Sequence, residues 1–206
     1  ILIIAFLNVS GQKSEVISPH YVLPEFTKGK VLMKTGDIRE LKMNYNLITE
    51  EMIFEYPGKY LALTEIGTID TVYILDRKFI PSGKIFHEVL LKTPAALFAR
   101  YTCDITPPGK PSGYGTTSQT SSIMVVDQLF SSGRAYDLQL PEDYVITPRT
   151  EFLLQKDGDL VRIYNIKQVM KIYPEKEALI KKYVKDTKID FKDQEDVINI
   201  IKFCNN

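Results

Sequence analysis

The densest collection of reactive side chains in the chain is the run SGYGTTSQTSS, Ser112 to Ser122, which sets hydroxyls, a tyrosine and a glutamine among glycines. Phosphate binding, dinucleotide binding and acyl transfer from a serine all use such residues. A phosphate loop needs glycine, lysine and then serine or threonine, because that last hydroxyl holds the magnesium. Here Gly109-Lys110 is followed by Pro111. Gly113-Tyr114-Gly115 begins like a dinucleotide fingerprint, but Ser118 stands where the third glycine belongs and no strand–helix–strand pattern surrounds it. A glycine-x-serine-x-glycine elbow is absent from the run. A lone hydroxyl would need a distant base, and the two histidines are His20, in an N-terminal extension, and His87, in an expected strand. No catalytic residue is assigned on these grounds. Tyr114, Thr117, Ser118, Gln119 and Thr120 are instead the expected binding face of an ordered surface loop.

His87 and Glu88 are neighbours in sequence, yet adjacent strand residues point to opposite faces. They do not act as a pair, and His87 is expected to be a half-exposed strand residue. Glu50-Glu51, Asp70, Glu142-Asp143 and Asp157-Asp159 offer carboxylates, of which a glycosidase needs two at a set separation. Most of them fall at turns or caps, where an acidic side chain bonds local backbone. Asp157-Gly158-Asp159 lacks the further ligands of a calcium loop, and Cys103 and Cys204 are too few for a zinc site. No metal and no cofactor are expected. The two thiols either form a disulfide, as an oxidising compartment would permit, or sit apart as small hydrophobes.

These residues need elements to hold them. The 206 residues suit one main domain, and with 26 basic and 26 acidic side chains there is no field to attract nucleic acid. Twelve tyrosines and ten phenylalanines favour pleated, half-buried surfaces. Turn chemistry recurs at Thr35-Gly36-Asp37, Pro57-Gly58, Asp76-Arg77 and Asp157-Gly158, each between apolar runs, which predicts antiparallel hairpins. Residues 29–166 are therefore read as a β-rich domain interrupted by a long loop over 106–122. From Lys167 the apolar period becomes helical: Leu179, Ile180, Tyr183 and Val184 share one face, Pro174 can open a helix, and Asp193 is a fitting N-cap. The expected fold is mainly β, an antiparallel β-meander forming a curved sheet, half-barrel or sandwich. Two or three short helices over 167–206 pack on it.

The chain opens with ILIIAFLNVSGQK. Seven apolar residues followed by small residues at Val9 and Gly11 resemble the end of a signal peptide, giving residues 1–11 as its remnant, cleavage after Gly11 and an extension over 12–28. A buried first strand is the alternative for so short an apolar run. It is too short to span a bilayer.

Together the stretches MNYNLITEEMIFEY, GKYLALTEIGTIDTVYILDRKFIP, GYGTTSQTSS and KIYPEKEALIKKYVKDTKIDFKDQEDVINIIKFCN resemble a family of uncharacterised exported β-rich proteins of Bacteroidetes-type bacteria. The resemblance runs from about Phe26 to Asn205 and implies export and a β-rich body with a helical tail. It carries no assigned activity, so it transfers no catalytic residue. The expected function is that of an exported, non-enzymatic envelope protein in the periplasm, associated with the outer membrane, or secreted. It would bind a small apolar ligand, a peptide or an envelope protein partner, with no nucleic acid and no transmembrane segment in the mature chain. The rival is an extracytoplasmic hydrolase using carboxylates or a loop serine or threonine. A structural envelope subunit, marked by a long unpaired sheet edge, is a third reading.

Overall fold

The computed structural model describes residues 19–92, 94–106, 110–111, 117–118, 136 and 144–206. Residues 1–18, Tyr114, Gln119, Thr120, Glu142 and Asp143 lie outside that set. The strands are β1 (Thr27–Met33), β2 (Ile38–Asn46), β3 (Glu51–Tyr56), β4 (Lys59–Ala62), β5 (Ile69–Ile74), β6 (Arg77–Ser82), β7 (Ile85–Leu91) and β8 (Ala96–Thr106). They continue with β9 (Lys110–Pro111), β10 (Thr117–Ser118), β11 (Val145–Lys156) and β12 (Asp159–Ile163). Three helices end the chain: α1 (Ile166–Ile172), α2 (Glu177–Asp186) and α3 (Gln194–Asn205).

Ten strands form one curved, open antiparallel sheet in the order β12-β11-β8-β7-β6-β5-β1-β2-β3-β4. The expected mainly β fold with a helical tail is what the molecule adopts. It is built from two meanders, β1 to β4 and β5 to β8 continued by β11 and β12, joined where β1 pairs with β5. Gly29 makes that junction close: a Cβ there would lie 2.5 Å from the Tyr73 carbonyl oxygen and 3.3 Å from Met43 Cγ. The turn residues match the hairpin chemistry at Gly36, Gly58 and Gly158, all with positive φ, and at Asp157, which joins Gly158 in the left-handed region. One turn is displaced. The β5–β6 connection is Leu75-Asp76, with Leu75 at φ 56°, and Arg77 already belongs to β6.

Cross-strand register sorts the side chains. Gly29 and Val31, Met43 and Tyr45, Met52 and Phe54, Val72 and Ile74, Phe79, Phe86, Glu88, Ala99 and Tyr101 share the inner face of the curl. The apolar members of this set supply most of the main core, which fills the inside of the curl. Along β11 and β12 the same face continues as Phe152, Leu154 and Ile163, and there the helices cover it. Val197, Ile200, Ile201 and Cys204, at helical spacing on α3, are buried against it together with Val169 of α1 and Ile180 of α2. Asp193 caps α3 by accepting from the backbone N–H groups of Glu195 and Asp196. Pro174 opens a single 3-10 turn, Pro174–Lys176, that leads into α2.

Two further expectations are settled here. His87 is not half-exposed: it is 6% exposed, on the outer face in register with Ile80. Cys103 and Cys204 are both free, the first packed against the main core and the second buried under the helices, so no disulfide joins them. Burial pushes both thiols up to about 11. Within the long loop, Thr117 and Ser118 pair with Pro111 and Lys110 as a two-strand ladder separate from the main sheet.

Candidate binding cleft

The inner face of a curled sheet is an apolar environment, and a carboxylate placed on it needs a cation and hydrogen-bond donors. Glu88 is such a carboxylate, 6% exposed between Phe86 and Leu90 on β7. Arg77, the first residue of β6, reaches it with a two-pronged contact: Nε donates to Oε1 at 3.1 Å and Nη2 to Oε2 at 2.7 Å. The guanidinium also lies 5.1 Å from the centroid of Phe79 and 5.0 Å from that of Tyr101, so its planar faces meet rings. Desolvation works against the guanidinium's charge, but the bond to Glu88 and the neighbouring Tyr101 outweigh it and raise its pKa. Breaking a pair of this kind by removing one partner typically costs about 3–5 kcal/mol.

Tyr101, on β8, extends the network. Its hydroxyl donates to Glu88 Oε2 at 2.5 Å and lies 3.0 Å from the side-chain amide of Gln194, the first residue of α3. A phenol has one proton. With that proton on the Glu88 bond, the Gln194 amide must turn its NH2 toward the tyrosine oxygen, and its carbonyl then faces away from it. Burial, followed by the charge of Glu88, raises the Tyr101 pKa well above the ordinary phenol range and holds the proton in place. Four elements thus meet at one network: β6, β7, β8 and the start of α3.

Above the network opens a cleft of about 580 Å³. Its remaining walls come from Tyr21, Val22 and Leu47 on one side and Pro148, Arg149 and Thr150 of β11 on the other, with Asp76 at the β5–β6 turn. The first wall exists because residues 20–23 run beside the end of β2. Leu47 donates to the His20 carbonyl, Val22 donates to the Tyr45 carbonyl, and the Asn44 side chain bonds the Leu23 backbone in both directions. Leu75, next to Asp76, is 66% exposed and holds a left-handed φ that costs a leucine on the order of 1 kcal/mol. Strain of this sort persists where the surrounding structure dictates it.

Of the carboxylates named from sequence, Glu50, Glu51 and Asp70 have other partners. Glu50 is bound by Arg100 at 2.6 and 2.7 Å, Glu51 accepts from the Tyr136 hydroxyl, and Asp70 accepts from Thr71. Arg149, Arg162 and Arg100 gather round Glu151 on the outer face. His20 and His87 line no part of the cleft. Among the described residues no group of three histidine, cysteine, aspartate or glutamate side chains could hold a metal ion, and no helix is long and apolar enough to cross a membrane.

Sequence reasoning passed over Tyr101 and Gln194, met Arg77 only as a turn residue and met Glu88 only as a neighbour of His87. The usable signal was the alternation Phe86, Glu88, Leu90, which places a carboxylate where the pattern asks for an apolar side chain. Comparison of the chain with protein-family models, curated proteins and solved structures finds no match.

Proposed function

We propose that the protein is an exported, non-enzymatic binding module of the cell envelope that holds a peptide segment of a partner in this cleft. The observation that carries the reading is that the prebuilt Arg77–Glu88–Tyr101–Gln194 network lines the floor of an open cleft. Such a floor offers a fixed hydrogen-bonding surface. The walls alternate apolar and polar groups, which suits a peptide better than a hydrocarbon, and the volume falls in the range of about 300–1,000 Å³ typical of binding pockets. The exposed, strained Leu75 precedes the lining residue Asp76 and would supply an apolar contact for a partner side chain. Export is supported by the apolar run and small residues at 1–11.

Catalysis fits the cleft less well. Both oxygens of Glu88 are engaged by Arg77, and Oε2 also by Tyr101, so the carboxylate is spent on structure. The hydrolase reading keeps one supporting observation, that Asp76 shares the cleft with Glu88.

A tagged library of short random peptides, panned against the full chain, tests the proposal. Expected are binders whose affinity falls about tenfold in Leu75→Asp and in Gln194→Ala. No enrichment, or binders indifferent to both substitutions, overturns it. Turnover of ester or glycoside substrates that Asp76→Asn abolishes would instead establish the hydrolase. The mass of the protein recovered from its host tests export: a chain beginning at Gln12 is expected.

A further inference from the structure

A second cavity lies at the other ends of β2 and β5 from the cleft, and its chemistry differs. It measures about 260 Å³ and is walled by Val31, Met33, Leu41, Phe54, Leu63 and Ile69. This is the inner face of the sheet where the curl opens, beside the segment that links β4 to β5. The rim carries Arg39, Thr64, Glu65 and Thr68. Arg39 is placed by register: it lies opposite Val31 on the neighbouring strand, so its side chain leaves the same inner face as the walls.

Arg39 stands apart from the other described arginines. Arg77, Arg100, Arg149 and Arg162 are all ion-paired, whereas Arg39 makes no ion pair among the described residues. Of the carboxylates on its own hairpins, Asp37 accepts from the Thr35 hydroxyl, Glu40 pairs with Lys30 and Glu55 with Lys42. Glu65 shares the rim, at a left-handed φ of 53°, without pairing with Arg39 and without capping the 3-10 turn Ile66–Thr68 that follows it. A guanidinium cannot shed its charge in a protein and matches a carboxylate with two parallel bonds.

We propose that this cavity binds a short straight-chain monocarboxylate, its alkyl chain in the apolar chamber and its carboxylate on Arg39. The volume admits roughly eight groups the size of a water molecule, which fits a chain of about eight carbons. The alkyl chain supplies affinity through burial against Met33, Leu41 and Phe54, and the guanidinium sets the head group. Glu65 disfavours a carboxylate approaching from its own side, so the head lies toward β2. The proposal stands on this cavity alone and is independent of the cleft.

Calorimetric titration of the full chain with octanoate, octanol and octylamine is the test, with NMR observation of the Met33 methyl. Octanoate is expected to bind saturably, shift that methyl, and lose about tenfold in affinity in Arg39→Gln while octanol is unchanged. Arg39 is exposed and makes no ion pair among the described residues, so the substitution is expected to leave the fold intact. Stronger binding of octylamine would make Glu65 the anchor and overturn the proposal. So would an octanoate affinity unaffected by Arg39→Gln, no saturable binding, or binding that leaves Met33 undisturbed.

Discussion

His87 shows how one side chain writes itself into the stability of the fold. It is buried on the outer face of β7, and desolvation, then the charge of Arg100, lowers its pKa below 6.5, with Glu50 opposing. Above pH 6.5 the imidazole is neutral in both the folded and the unfolded chain and contributes nothing to a pH dependence. As pH falls below 6.5 the unfolded chain takes up a proton that the folded chain resists. Stability is therefore lost on acidification until the depressed folded pKa is reached. Urea unfolding at pH 7.5 and 5.5 should show a larger loss in the wild type than in His87→Gln. Equal losses would mean that His87 does not titrate with the fold. None of this was legible from the sequence, because whether a strand histidine is exposed depends on what reaches the outer face. Glu88 was half legible: alternation places it inward, but its partners Arg77 and Tyr101, and Gln194 beyond Tyr101, come from three other elements.

At the scale of elements the local rules carried further. Asp193 reads as an N-cap from sequence and acts as one, accepting from two backbone N–H groups of α3. Asp193→Ala is expected to lower stability by about 1 kcal/mol, measured by chemical denaturation. Because α3 begins at Gln194, the same change loosens the groove end that Gln194 anchors to Tyr101. Gly36, Gly58 and the Asp157-Gly158 pair were found for the same reason, since a hairpin turn needs positive φ and few residues supply it cheaply. The β5–β6 turn was displaced by one residue because it seats a leucine in that conformation, a choice that turn preference argues against. The loop residues Thr117 and Ser118 pair in a small ladder of their own with Pro111 and Lys110, a local choice among many equally polar partners.

At the scale of the whole molecule, sequence foretold a curved antiparallel sheet with helices after it and could not foretell its strand order. Hairpins are local, whereas the pairing of β1 with β5 joins two meanders across the whole of β2 to β4. The feature with the widest reach is the ladder between β8 and β11, which runs from Thr106 opposite Val145 to Ala96 opposite Gln155. The two chain ends that leave for the long insertion are thus side by side, and the sheet does not need the covalent link between them. The main core lies entirely in residues before 106, while the helical core borrows Ala95 and Leu97 from that half. The molecule is therefore a natural candidate for fragment complementation. A chain supplied as two pieces, divided between Ser118 and Tyr136, should give a first piece that is β-structured alone and a second that gains its helices only when the first is added. Circular dichroism of the separate and mixed pieces would show it: the ladder at β8 would serve as the docking edge on which the second half of the protein folds.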